Sequence, residues 1–255
     1  MTNKNDFRME IKSSVLKDVI TALRVVHDES LWHVTAEGIS TKMVDPSHVM
    51  MVDLSMSRHA CEEYIGGEKD IAIPLEKLHQ VLLLSSKDER VVLENMNGQQ
   101  KLHVRFGPIH RKIPLLDQKG IISPDTFPSV EWKVKAAGAA EHLMMGLKAT
   151  EQVSTEAFSI HAAAGELNMM AENDNDEVTI TFKNGESGEL SVLDVSEESK
   201  SSYSHEFMGP ALRAAHHDAV VSLEFTSDHP ILVCYGFADE TVAVKYMLAP
   251  RIESE

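Results

Sequence analysis

Apolar and polar positions change period several times along the chain. Over SSVLKDVITALRV, residues 13 to 25, Val15, Leu16, Val19, Ile20 and Leu23 recur at helical spacing while Lys17, Asp18, Thr21 and Arg24 fall on the other face. That spacing predicts an amphipathic helix. LWHVTAEGISTKMV then alternates about a turn at Glu37-Gly38, and VMMVDLSM continues the alternation, so a β-meander is expected after the helix. PLEKLHQVLLLS, residues 74 to 85, predicts a second helix opening on Pro74, whose missing N–H costs little in a first turn. RVVLENM and KLHVRF return to strand, joined by Asn97-Gly98, a pair that suits a tight hairpin.

The second half repeats this programme. VEWKVK predicts a strand leading into a helix over AAGAAEHLMMGLK, on the stripe of Leu143, Met144 and Leu147, and AFSIHAAAGELNMMAE predicts a hairpin about Gly165. KDERVVLE at 87 to 94 is echoed by HDAVVSLE at 217 to 224, with Leu93 and Glu94 matching Leu223 and Glu224 at one offset. Two copies of strand, helix, meander, helix, meander predict an α+β chain with helices on one face of antiparallel sheet. The expected division is a domain over 1–116, a connector over 117–131 and a domain over 132–255. The connector carries Gly120, Pro124 and Pro128, too many breakers for an element. Ile121, Ile122 and Phe127 leave two readings open for it, a solvated spacer or part of a binding surface. Gly209-Pro210 falls inside HEFMGPALRAAHH, where an interior proline costs about 3 kcal/mol, so the last helix either begins near Pro210 or is kinked there.

Composition narrows the class. The chain has 255 residues, of which 43% are apolar, enough for a substantial core. Its longest apolar runs, such as VLLL at 81 to 84, fall far short of the roughly 18 residues that span a bilayer, and the N-terminus shows no export signal. A soluble intracellular protein is expected. Cys61 and Cys234 share no motif, which points to two structural thiols. The net charge of −16 repels nucleic acid at long range.

Two segments carry a resemblance. EGISTKMVDPSHVMMVDL at 37 to 54 has the spacing of a DxxHV loop, and the chain closes on VKYMLAPRIE at 244 to 253. With the duplicated units and the proline-bearing connector, these resemble the PCNA-type sliding clamps of archaea and eukaryotes over essentially the whole chain. The resemblance implies the DNA clamp fold, two topologically equivalent domains per subunit, and three subunits closed head to tail as a homotrimeric ring. It implies a processivity factor that encircles duplex DNA, with no catalytic activity and no cofactor or metal. The implied partners are DNA polymerase, the clamp loader, a flap endonuclease and DNA ligase, all through PIP-box peptides. It further implies a cytoplasmic, chromosome-associated location in an archaeon, or a nuclear one in a eukaryote.

The same resemblance assigns residues. Lys17, Arg24, Lys77, His142, Lys148 and Arg213 match the DNA-facing helices, although Glu141, His142 and Met145 stand where arginine is usual. Scattered cations suit a tether that slides on phosphates without reading bases, and the acidic excess is then expected outside the ring. The partner groove is assigned to Val44 and His48 of the DxxHV loop, Ile121, Ile122 and Pro124 of the connector, Pro230, and Met247, Ala249, Pro250 and Ile252 of the last segment. Such a groove buries a few apolar anchors, although Val44, Met247 and Ile252 would also suit strand core. The subunit contact is expected at two edge strands near 109 to 116 and 176 to 182, where Arg111 and Lys112 would meet Asp176 and Glu177 of the ENDNDE run.

Two rival readings stay open. One is a subunit of a heterotrimeric or checkpoint-type clamp, since one chain does not reveal whether its two edges fit each other. The other is a metal-dependent hydrolase, suggested by thirteen histidines. No GxxxxGK[ST], HExxH, GxSxG or GxGxxG motif supports it, ENDNDE lacks the glycine of an EF-hand loop, and adjacent His216 and His217 point about 100° apart on a helix.

Overall fold

Phe7, Met9 and Ile11 are fully buried while Arg8, Glu10 and Lys12 face outward, and this period of two makes Phe7–Lys12 the first strand, β1. The computed structural model describes residues 6–96, 98–124, 126–154, 156–163, 165–185 and 189–251. Contacts divide the chain into two units, Met1–Phe127 with Gly236–Val244, and Pro128–Tyr235 with Lys245–Glu255.

In the first unit β1 leads into α1 (Ser13–Arg24), then β2 (Glu29–Val34), β3 (Gly38–Val44), β4 (Met50–Ser57), β5 (Glu63–Gly66) and β6 (Lys69–Pro74). The unit continues with α2 (Leu75–Leu82), β7 (Arg90–Asn95), β8 (Lys101–Phe106) and β9 (Ile109–Pro114). The strands pair as β5-β1-β7-β8-β9 and as β4-β3-β2-β6, antiparallel throughout. Leu16, Val19, Ile20 and Leu23 of α1 and Leu75, Leu78, Val81 and Leu82 of α2 are buried, so both apolar stripes face the sheet side. Pro74 is the residue preceding α2 and still pairs with Glu29 in the ladder. Beyond Leu82 the chain tightens, with Leu84 and Ser85 donating to Val81 and Leu82 three residues back.

The second unit repeats the order: β10 (Val134–Ala139), α3 (Ala140–Val153), β11 (Ala157–Ala163), β12 (Glu166–Glu172), β13 (Glu177–Lys183), β14 (Leu190–Val195) and β15 (Ser199–Ser204). In chain order α4 (His205–Ala214), β16 (Val220–Phe225), β17 (Ile231–Phe237) and β18 (Val242–Leu248) follow. Here the pairings are β13-β12-β11-β15 and β14-β10-β16-β17. The echoed octapeptides become β7 and β16, the same strand of each copy.

A further detail repeats. No side chain caps α1 or α3. The backbone N–H groups of Ser13 and Ser14 instead donate to the carbonyls of Glu89 and Lys87, and those of Ala140 and Glu141 to Ala219 and His217. In each unit the loop after the second helix satisfies the orphan donors of the first.

Two expectations need correction. Residues 136 to 139 are strand, not helix: Ala136 and Gly138 are buried between β14 and β16, and a Cβ on Gly138 would lie 2.6 Å from the Glu189 carbonyl oxygen. Pairing on both sides overrides the helix propensity of alanine. The last helix begins at His205, five residues before Pro210, and runs through it. His205 and Met208 are buried and anchor the first turn, which offsets the single backbone bond the proline cannot make.

Candidate nucleic-acid and partner interfaces

The polar faces of the helices gather some of the expected cations and not others. On α1, Lys17 is half-buried and donates from Nζ to the Ser85 carbonyl at 2.7 Å, while Arg24 Nε donates to Asp28 at 2.5 Å, one helical turn on. His79 of α2 shares their surroundings: burial first, and then Arg24, lower its pKa, Asp28 pulls the other way, and Lys17 adds the smallest lowering effect. Lys77 is exposed, but residues two apart on a helix do not face each other, so it lies on the opposite flank from His79. The resemblance did not supply His79; its place beside the Leu75, Leu78 and Leu82 stripe was the available signal.

In the second unit α3 and α4 enclose a cleft of about 680 Å³. Glu141, Met144, Met145, Lys148 and Gln152 line it from α3, and Leu212 and Arg213 from α4. Met145 is 55% exposed there. The Arg213 guanidinium lies against Gly209, where a Cβ would stand 3.1 Å from its nitrogens. Lys148 and Arg213 are therefore brought together. His142 is not: it is half-buried, its Nδ1 is enclosed without a hydrogen-bond partner among the described residues, and the charge it influences is Glu189 before β14. One residue along a helix turns a side chain by about 100°, enough to remove His142 from the face that Glu141 and Met145 share.

The DxxHV loop is organised by Asp45, which is 5% exposed. Its carboxylate accepts from the backbone N–H groups of Ser47 at 2.8 Å, Val49 at 2.7 Å and Met50 at 2.5 Å, and from the Ser47 hydroxyl. Burial acts to raise the Asp45 pKa, but these hydrogen bonds outweigh it and hold the group below its ordinary value. His48 takes the left-handed conformation, φ 58°, donates its backbone N–H to the Asp45 carbonyl at 2.9 Å, and leaves its ring exposed.

Against this loop runs the connector, tied by a hydrogen bond from the Ser123 hydroxyl to the Lys42 carbonyl at 3.1 Å. A cavity of about 240 Å³ results, lined by Met43, Val44, Asp45 and Pro46 on one side and Gly120, Ile121 and Ile122 on the other. Ile122 is 66% exposed at this cavity. Pro124 is half-buried and lies outside that lining.

The remaining groove residues belong to the second unit. Met247 is 4% exposed, between buried Tyr246 and Leu248, so its side chain is packed as core and offers no surface. Ala249, Pro250 and Pro230 are half-buried. Pro250 and Arg251 border a polar cleft of about 450 Å³ with Lys200, Ser201, Ser202, Ser227 and Asp228. The Arg251 backbone N–H donates to the Ser202 carbonyl at 2.8 Å, extending the edge of β15. Ile252 lies outside the described residues.

Both expected edges are sheet edges, β9 in the first unit and β13 in the second. Arg111 pairs with buried Val104 and Lys112 with His103, so the two cations lie on opposite faces of β9. Glu177 begins β13, and the Asn173 side chain accepts from the N–H groups of Asn175 and Asp176, holding Asp176 in an exposed turn. Among the described residues no group of three or more histidine, cysteine, aspartate or glutamate side chains could hold a metal ion, and no helix is long and apolar enough to cross a membrane.

The family described as "Proliferating cell nuclear antigen, N-terminal domain" matches residues 7–113. A DNA polymerase sliding clamp of Methanosarcina mazei is 30% identical over 250 residues, spanning 98% of this chain and all of that protein. Its counterpart in Methanococcoides burtonii is 26% identical over 249 residues, again spanning 98% of this chain and all of that protein. Among solved structures, PCNA of Thermococcus kodakaraensis superposes with a TM-score of 0.87 at 28% identity, covering 96% of this chain and all of that one. PCNA of A. fulgidus, solved with the C-terminal region of FEN-1, gives 0.90 at 22% identity over 98% of this chain and all of that one. With that identity sustained along the whole chain and the clamp fold repeated in both units, this chain belongs to the DNA polymerase sliding clamp family.

Proposed function

We propose that this protein is a processivity factor, a ring of three identical subunits that encircles duplex DNA and tethers the enzymes working on it. The full-length likeness to archaeal sliding clamps carries this reading. Each subunit contributes two clamp domains, 1–116 and 132–255, joined by the connector 117–131, and the ring closes head to tail through β9 of one copy and β13 of the next. Lys17, Arg24, Lys77, Lys148 and Arg213 face the duplex as scattered phosphate contacts that permit sliding. Two of them already hold partners within the chain, Lys17 at Ser85 and Arg24 at Asp28, so contact with DNA is weak and topology does the tethering.

Partner peptides dock at the cavity between Val44 and Ile121–Ile122, with His48 of the same loop beside it. A flap endonuclease is the first partner to expect, because a structural neighbour was solved with the C-terminal region of one. DNA polymerase, clamp loader and DNA ligase follow through the same peptide class. The protein acts without a cofactor and is associated with the chromosome.

Light scattering on the purified chain, together with primer extension on primed circular DNA, tests the proposal. A trimer that lengthens the products of a processive polymerase is expected, with the gain lost on linear templates from which a ring slides off. A monomer at micromolar concentration overturns the homotrimer and favours a heterotrimeric clamp.

A further inference from the structure

Copies of a chain carrying a net charge of −16 repel one another at a distance, so contact between them needs local charge of opposite sign. The outer face of β8 and β9 supplies a positive patch. Register places His103 beside Lys112 and Arg105 beside His110, with Lys101 on the same face, and the two imidazole rings lie 5.3 Å apart. Arg105 is engaged by Glu94 within the chain. Among the described residues Lys101 and Lys112 make no ion pair in the chain.

The β12–β13 turn supplies the opposite patch. Glu172, Asp174, Asp176 and Glu177 are all exposed, and Glu172 stands directly across from Glu177, a like-charge pair that disfavours the isolated edge. These four acids also lack an ion-pair partner among the described residues. Both patches border strands whose outer hydrogen-bonding groups meet no neighbour in the sheet order.

We propose that the β9 edge is a proton-sensitive contact for the acidic β12–β13 turn of a second copy of this chain, with the His103 imidazole, set beside Lys112 and the His110 ring, supplying the charge that tightens it in mild acid. This rests on the self-assembly reading given above. The groups facing His103 are Lys112 and His110 from β9, Glu94 from β7, and Lys101 and Arg105 on its own strand. Glu94 is committed to Arg105, with Arg8 also within reach. Burial, and then Lys112, His110 and Lys101, hold the His103 pKa below its ordinary value, so a proton there is disfavoured in the free chain. An arriving cluster of carboxylates reverses that disadvantage. Protonation and association are then linked, each favouring the other. The effect belongs to the range between about pH 7.5 and 5.5, above the region near pH 4 where the carboxylates themselves protonate.

Sedimentation of the full chain at pH 7.5 and pH 5.8 tests the inference. A rise of one unit in the pKa of one imidazole on assembly corresponds to up to about tenfold tighter association at the lower pH. The expected result is that gain in the native chain, no gain in the double variant His103→Gln, His110→Gln, and tight association at both pH values in His103→Lys, His110→Lys. The lysine pair keeps the test decisive if the glutamines disturb the sheet. A pH response retained by the glutamine variant, or a native trimer whose dissociation constant ignores pH, overturns the histidine contact alone. A chain monomeric under every condition overturns the self-assembly reading with it.

Discussion

Asp45 offers the sharpest test of how the DxxHV loop is built. The carboxylate, 5% exposed, accepts three backbone N–H groups and one hydroxyl between residues 47 and 50. Its Oδ1 serves Val49 and Met50, and its Oδ2 serves Ser47. Replacement by asparagine keeps an oxygen for Val49 and Met50 but turns an N–H₂ toward the Ser47 N–H. Of the four charge-assisted bonds, the one from the Ser47 N–H is lost outright, the Ser47 hydroxyl has to turn and accept from the new amide, and the two from Val49 and Met50 become neutral. At about 1.5–3 kcal/mol for a bond to a charged group against about 1 for a neutral one, Asp45→Asn costs about 2–3 kcal/mol. Asp45→Ala leaves all three N–H groups without an acceptor and costs more, about 3–5 kcal/mol.

Urea unfolding followed by the fluorescence of buried Trp32 in the same unit reads this cost. Because the loop forms one wall of the Val44 and Ile122 cavity, peptide affinity should fall in step, by tenfold or more in the alanine variant. The sign of the pH dependence follows from the depressed pKa. The unfolded carboxyl binds its proton first, so the stabilisation by Asp45 is complete above about pH 4 and is lost as pH falls below that. Asparagine stability within about 0.5 kcal/mol of the native chain would refute the reasoning, because it would mean that solvent satisfies the loop as well as Asp45 does.

Three further outcomes are expected. His205 is 3% exposed and stacked on Phe158 with ring centroids 5.0 Å apart; burial lowers its pKa against weaker opposing effects of Glu151 and the Ala157 backbone. Stability should therefore fall as pH drops below about 6.5, by up to about 1.4 kcal/mol per unit from this residue, and His205→Phe should remove that share of the slope in urea titrations. Gly146→Ala would set a Cβ 2.5 Å from the Phe182 ring and 3.1 Å from Met169 Sδ, so an overpacking cost of about 1–3 kcal/mol should exceed the propensity gain of about 1 kcal/mol and lower the melting temperature. Ile122→Glu should weaken a PIP-box peptide at least tenfold by fluorescence anisotropy while the trimer persists; loss of the trimer would mean that Ile122 serves assembly.

Much of the architecture was legible in the chain because it follows from local periodicity. The stripes of α1 and α2, the hairpin about Gly165 and the octapeptide echo that became β7 and β16 all came from spacing alone. The misreadings came where neighbours distant in sequence decide. Ala136 to Ala139 favours a helix by composition, yet β14 and β16 hydrogen-bond it from both sides. Of the two readings of Pro210, a start there is ruled out, because buried His205 and Met208 set the helix start a turn and a half earlier.

The functional surfaces divide in the same way. The resemblance singled out the DxxHV loop and the cations on the helices as candidates, and residue type alone marked the connector as apolar. Sequence did not give the role of Asp45 as the acceptor that holds the loop, or remove His142 from the face of Lys148 and Arg213. It left Met247 open between groove and strand core, and did not reveal His79 beside Arg24. Each of these depends on which direction a side chain takes and what packs against it. Periodicity fixes the face of an element, whereas the surroundings of that face are set by strands and helices up to a hundred residues away.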